Sequence, residues 1–87
     1  MSSIIFVAKK GQYIDIDGNI INIYIYDDNR CEVSYKYFTS KDMVIPHKCE
    51  VVGYLKPEKE IDIFEYGKKL IFHQFTMKSW IVEIEDL

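Results

Sequence analysis

Residues 13–38 read YIDIDGNIINIYIYDDNRCEVSYKYF. A strand with one buried face alternates apolar and polar residues with period two. Ile14 and Ile16 alternate with Asp15 and Asp17, and Ile21, Ile23 and Ile25 alternate with Asn22, Tyr24 and Tyr26. Between the runs lies Asp17-Gly18-Asn19, and Gly and Asn accept the positive φ of a tight hairpin. A two-residue turn at Gly18-Asn19 sets Ile16 opposite Ile21 and Ile14 opposite Ile23. A turn at Asp17-Gly18 instead sets Asp15 opposite Ile20. A slip of one residue flips every side chain to the other face, so the apolar pattern selects the first register.

The second turn lies within Asp27-Asp28-Asn29-Arg30. A three-residue loop over Asp28 to Arg30, with Asn29 or Arg30 left-handed, pairs Ile25 with Val33, Ile23 with Tyr35 and Ile21 with Tyr37. A two-residue loop at Asp28-Asn29 sets Ile25 against Glu32 and is rejected. The expected core face is then Ile14, Ile16, Ile21, Ile23, Ile25, Val33, Tyr35 and Tyr37. The opposite face carries Tyr13, Asp15, Ile20, Asn22, Tyr24, Tyr26, Glu32, Ser34, Lys36 and Phe38. Tyrosine joins a large apolar body to a polar tip, which suits a contact surface. It is also a good strand former, so the same residues serve a plain sheet face.

The chain has 87 residues, which predicts one small β domain over 1–87. A chain this short buries only about 60–65% of its unfolded surface. Hydrophobic residues make up 48% and charged residues 29%, a globular rather than disordered balance. The net charge of −3 disfavours duplex nucleic acid as a partner. Residues 57–87 hold seven acidic and four basic side chains, so the acidic surplus lies in the C-terminal third. No apolar run reaches the ~18 residues of a membrane helix. The first residues, MSSIIFVAKKGQ, place their lysines after a short apolar run, the reverse of a secretory signal. The expectation is a cytoplasmic chain with no membrane partner and with Cys31 and Cys49 as thiols. Abundant Ile, Tyr, Lys, Asp and Asn match AT-rich coding, as in a low-GC bacterium or its phage.

Taken in order, Ser3 to Ala8 is a strand, Lys9-Lys10-Gly11 a turn, and Thr39 to Asp42 a polar loop. Val44-Ile45 before Pro46 suggests a sheet edge or bend. Lys48 to Leu55 reads as a strand with Gly53 as a bulge, Cys49, Val51 and Leu55 on one face and Glu50, Val52 and Tyr54 on the other. Over 57–66, Pro57, Glu58, Glu60 and Gly67 favour a helix, while the alternation Ile61-Asp62-Ile63 favours a strand from Glu60 to Tyr66, the reading adopted. Leu70 to Thr76 and Ser79 to Glu85 are strands about a turn at Met77-Lys78. The fold class is all-β and mainly antiparallel: a small barrel or sandwich of seven or eight short strands, with at most one short helix near 57–66.

No catalytic signature is present. Asp15, Asp17 and Asn19 open like a calcium loop, but the required sixth Gly and twelfth Glu are Ile20 and Tyr26. Cys31, His47, Cys49 and His73 suffice in number for zinc, yet their spacing matches no paired-ligand pattern. A thiol–imidazole pair from the same residues lacks any local activating group. The expected chemistry is therefore binding without a metal or cofactor. The leading expectation is a small non-enzymatic protein acting through a protein–protein surface, such as an inhibitor or adaptor encoded by a phage or mobile element. Its contact residues are Tyr13, Tyr24 and Tyr26, with Asp27 and Asp28 at the hairpin tip. The alternative is a small-barrel RNA or single-stranded DNA binder using Lys36, Lys41, Lys48 and exposed aromatics, since Lys9, Lys10, Lys36, Lys41 and Lys48 interleave with Tyr13, Tyr35, Tyr37 and Phe38. Unpaired edges at the SIIFVA run and before Pro46 also suggest a homodimer or a strand-pairing partner.

Ile23 sits mid-strand between apolar partners on the core face. Ile23→Ala is expected to cost about 2–5 kcal/mol in urea melts. Tyr24→Ala on the outer face should cost less, and equal losses would show both faces covered.

Overall fold

The alternation over 13–25 folds as its phase demands. In the computed structural model, which describes residues 3–16, 21–36 and 47–87, strands Tyr13–Ile16 (β2) and Ile21–Ile25 (β3) pair antiparallel with Ile16 opposite Ile21 and Ile14 opposite Ile23. The turn residues 17–20 lie outside the described residues. A six-residue strand Ile4–Lys9 (β1) precedes this hairpin. Arg30–Lys36 (β4), His47–Tyr54 (β5), Lys59–Ile63 (β6), Lys68–Thr76 (β7) and Ser79–Asp86 (β8) follow it.

The eight strands form two antiparallel four-stranded sheets, ordered β1-β8-β7-β6 and β2-β3-β4-β5. Among the described residues neither sheet closes, and the two sheets face one another across a shared core as in a small sandwich or open barrel. Ala8, Ile63, Leu70, Phe72, Trp80, Val82 and Ile84 of the first sheet pack against Ile16, Ile21, Ile23, Ile25, Cys31, Val33, Tyr35 and Leu55 of the second. Ile23, Leu70, Phe72 and Val82 are fully shielded. Burial at about 25 cal/mol per Å² of apolar surface makes this shared layer the main source of stability. Among the described residues no helix is long and apolar enough to cross a membrane.

The β3–β4 register differs from the expected one by two residues. Ile25 faces Cys31, not Val33; Ile23 faces Val33 and Ile21 faces Tyr35. The three-residue loop is Asp27 to Asn29. Asn29 N–H donates to the Tyr26 carbonyl at 2.9 Å, Tyr26 N–H donates to the Arg30 carbonyl at 2.8 Å, and Asn29 lies at φ 71°. This is a hydrogen-bonded turn closed by a left-handed residue, where Asn fits better than Arg. A shift of two residues keeps every side chain on its face, so the expected core face survives and gains Cys31. Tyr37 lies outside the described residues.

The β5 strand carries the bulge expected at Gly53. The β4–β5 register shifts between Cys31 and Glu32, leaving Val52 as the extra residue beside Gly53 at φ 87°. The bulge overturns part of the face assignment. Val52 packs against the core with Leu55, and Glu50 pairs with the core-facing Val33. Over 57–66 the strand reading holds only in part, and the helix start expected at Pro57 is instead a turn with Glu58 at φ 66° leading into β6. The strand ends at Ile63, a single 3-10 turn spans Phe64–Tyr66, and Gly67 closes it at φ 61°. The segment from Val44 to Pro46 lies outside the described residues.

One end of the sandwich is tied across the sheets. Gly11 N–H donates to the Ile25 carbonyl and Lys10 N–H to the Lys78 carbonyl, where the chain crosses between sheets after β1. Leu55 N–H donates to the Asn29 carbonyl at 2.8 Å, where it crosses back after β5. The indole N–H of Trp80, on the other sheet, donates to Asn29 Oδ1 at 3.1 Å. Asn29→Gly keeps the left-handed backbone and removes the indole's acceptor, so it should cost about 1–3 kcal/mol. Asn29→Ala should cost about 1–2 kcal/mol more, because it also strains the turn. Paired chemical melts check the order, and equal losses would show that the backbone conformation imposes nothing.

Candidate functional site

The outer face of the β2-β3-β4-β5 sheet gathers the tyrosines. Tyr13 and Tyr24 are cross-strand partners, with ring centroids 4.7 Å apart and planes at 45°. Tyr24 and Tyr26 lie two apart on β3's continuation, 4.8 Å between centroids and edge to face at 77°. Such pairs add to plain area burial and hold each ring against its neighbour. Tyr13 is 74% exposed, whereas Tyr24 and Tyr26 are half-buried, so the ladder rises from the sheet toward the β2 edge.

Arg30 completes the ladder. The observed register sets Arg30 beside Tyr26, and its guanidinium carbon lies 4.4 Å over the Tyr26 ring centroid. A cation over an aromatic face at this distance is attracted to the ring quadrupole. Asp28 holds Arg30 from the turn. Its Oδ1 accepts Arg30 N–H at 3.1 Å, and its Oδ2 lies 3.4 Å from Arg30 Nε. Asp28 thus shapes the hairpin tip, while Asp27 stands exposed beside it. The Tyr26 hydroxyl is held above the ordinary phenol range, first by its hydrogen bond to Glu32, then by desolvation and the Glu32 charge, against the opposing effect of Arg30.

All five expected contact residues therefore lie at or around this ladder. Arg30, Glu32 and Tyr54 join them. Tyr54 is β4's partner at Arg30 and is 60% exposed. The charged groups described on this face and its tip are Asp15, Asp27, Asp28, Glu32 and Arg30, a net negative set.

The residues expected for single-strand binding fare differently. Tyr35 is buried at 2% exposure, its hydroxyl donates to Glu65 Oε1 at 3.2 Å, and its ring meets Tyr66 edge to face. It offers no stacking surface. Tyr37, Phe38 and Lys41 lie outside the described residues, as do the side chains of Lys36 and Lys48.

Of the cysteines and histidines, the two whose side chains are described lie apart. Cys31 is fully buried in the core, while His73 lies on the outer face of the other sheet with its Nε2 2.9 Å from Glu83 Oε1. Among the described residues no group of three or more His, Cys, Asp and Glu side chains is arranged to hold a metal ion. Asp17 and Asn19 of the calcium-like run, and the side chains of His47 and Cys49, lie outside the described residues. At the end of the sandwich away from Asn29, Glu50, Asp62 and Glu65 line an open cleft with Tyr35 and Phe64.

No protein family, no characterised protein and no solved structure matches this chain.

Burial pushes the Cys31 thiol up to about 12, with the nearby Glu32 charge acting in the same direction. The native state therefore keeps this proton while the unfolded chain loses it near the ordinary value of 9.0. Stability is retained in full below about pH 9 and falls as the pH rises toward 12. In a Cys49→Ser background, Cys31 should resist thiol reagents at neutral pH until the chain is unfolded. Cys31→Val should flatten the alkaline loss in urea melts, and an unchanged slope would place its origin elsewhere.

Proposed function

We propose that this chain is a small non-enzymatic binding protein whose contact surface is the outer face of the β2-β3-β4-β5 sheet. The observation that carries the reading is the Tyr13–Tyr24–Tyr26 ladder capped by Arg30. Tyrosine and arginine dominate the energetics of protein interfaces. Here each ring is braced by the next, so little side-chain freedom remains to be lost on binding. The acidic groups around the ladder favour a partner with a basic surface, and complementary charge raises the association rate. A protein that covers a basic, nucleic-acid-binding surface on its target acts as an inhibitor or adaptor, and this face suits that role.

Tyr24 and Tyr26 are the anchors, Tyr13 and Tyr54 extend the apolar area, and Arg30 supplies a directed cation. The test is a pull-down from the native host with the wild-type chain and with a Tyr24→Ala, Tyr26→Ala double variant, followed by affinity measurement on the recovered partner. Each lost anchor should cost about 2 kcal/mol, roughly 30-fold in Kd. Far-UV circular dichroism should be unchanged. Equal recovery by both forms would exclude this face. Recovery of nucleic acid alone, with affinity falling steeply as salt rises, would replace the protein-binding reading with the single-strand one.

A further inference from the structure

Among the described residues the sandwich has four edge strands, and three carry a device that discourages pairing. β6 bears Lys59, Glu60 and Asp62 and runs into the 3-10 turn. β2 has only four residues, one of them Asp15. β5 is broken by the Val52-Gly53 bulge. Charges, shortness and bulges are the usual protections of a sheet edge. β1 has none of them over its first five residues. Ile4 to Ala8 contains no charge, Pro or Gly, and its ladder with β8 runs unbroken from Ile4↔Ile84 to Lys9↔Ser79. Ile4 and Ile5 are each 61% exposed and Val7 is 48% exposed.

The backbone groups left open on this edge follow from the ladder. Lys10 N–H donates to the Lys78 carbonyl in step with the β1–β8 pairing. Antiparallel residues alternate in the side they address. Ile4, Phe6 and Ala8 therefore bond to β8, and Ile5 and Val7 direct their N–H and C=O groups outward.

We propose that β1 pairs with β1 of a second copy of this chain, antiparallel about a two-fold axis at Phe6. This register sets Phe6 against Phe6, Ile5 against Val7 and Ile4 against Ala8, with Lys9 falling opposite Ser3. Core-side residues meet core-side residues, outer ones meet outer ones, and no like charges face each other. Each Ile5–Val7 pair exchanges both of its outward backbone groups. The match is of the strand to itself, which is what a two-fold interface requires. The second copy's Phe6 also arrives beside a cleft of about 420 Å³ between the sheets, lined by five apolar side chains, Phe6 and Ile16 among them, and by the ion-paired Lys68 and Asp86.

Sedimentation equilibrium on the full chain, from low to high micromolar concentration, tests the proposal. The mass should rise from 10.4 kDa to twice that value. Val7→Pro removes an outward N–H and leaves the β8 ladder intact, as proline on an edge strand allows. Ile5→Lys sets a cation against Val7 of the other copy. Both variants should stay at monomer mass with unchanged circular dichroism, while the Tyr24→Ala, Tyr26→Ala variant should still dimerise. In mixed-labelled wild-type protein, isotope-filtered NMR should show Ile5–Val7 contacts between copies, a readout that needs no variant. A wild-type chain at monomer mass throughout would overturn the proposal. So would a dimer that survives both edge variants, or one whose intermolecular contacts arise from the tyrosine face.

Discussion

Asn29 is the point on which the two sheets depend. Its left-handed backbone closes the β3–β4 hairpin, its carbonyl receives Leu55 where the chain leaves the sheet, and its side chain receives the Trp80 indole from the opposite sheet. Each of these contacts satisfies a polar group at the end of the apolar layer, where an unpaired donor would cost about 1–3 kcal/mol. Trp80 is 2% exposed, so its N–H has little recourse to water. Only a residue that tolerates positive φ and also carries an acceptor meets both demands. Glycine meets the first alone, and aspartate would bring a charge toward a buried indole.

The ties at this end contrast with the other. Both crossings between sheets, before β2 and after β5, lie beside Asn29. Among the described residues, the far end holds a cleft beside β1, lined by apolar side chains with Lys68 and Asp86, and an acidic cleft beside β6. Tyr35 and Glu65 bridge the sheets there, and the C-terminal Leu87 N–H donates to the Gly67 carbonyl. The core is small, so its integrity depends on a few completely shielded residues and on these polar ties. Cys31 belongs to the shielded group, and its burial holds the thiol in its protonated form.

The legible part of the chain is the part whose misreading would move side chains across a sheet. Ile16 opposite Ile21 was readable because a one-residue slip exposes a row of isoleucines. The β3–β4 error was one of two residues, which apolar phase cannot detect. Only the turn chemistry at Asn29 separates the two registers. The register also decides part of the site, since the longer loop would hold Arg30 away from Tyr26. Gly53 marks the bulge in the sequence, but a bulge shifts the phase of the residues before it, and strict alternation misplaces Glu50 and Val52. The Trp80–Asn29 bond joins positions 51 residues apart, and no local pattern announces it.

The tyrosine face and the β1 edge lie on different sheets, and their geometry makes them compatible. Pairing β1 with its copy in the register that matches core side to core side requires a two-fold axis perpendicular to the sheet. Both copies of the β2-β3-β4-β5 sheet then lie on the same side of the continuous eight-stranded sheet. The two tyrosine ladders consequently face the same way and not opposite ways. A partner with two basic sites, or a dimeric one, would meet both ladders at once. The second contact would then form at an effective concentration set by the rigid spacing, which raises avidity without any new contact. The strand edge and the ladder would in that case be two parts of one recognition device, the first setting the spacing at which the second is presented.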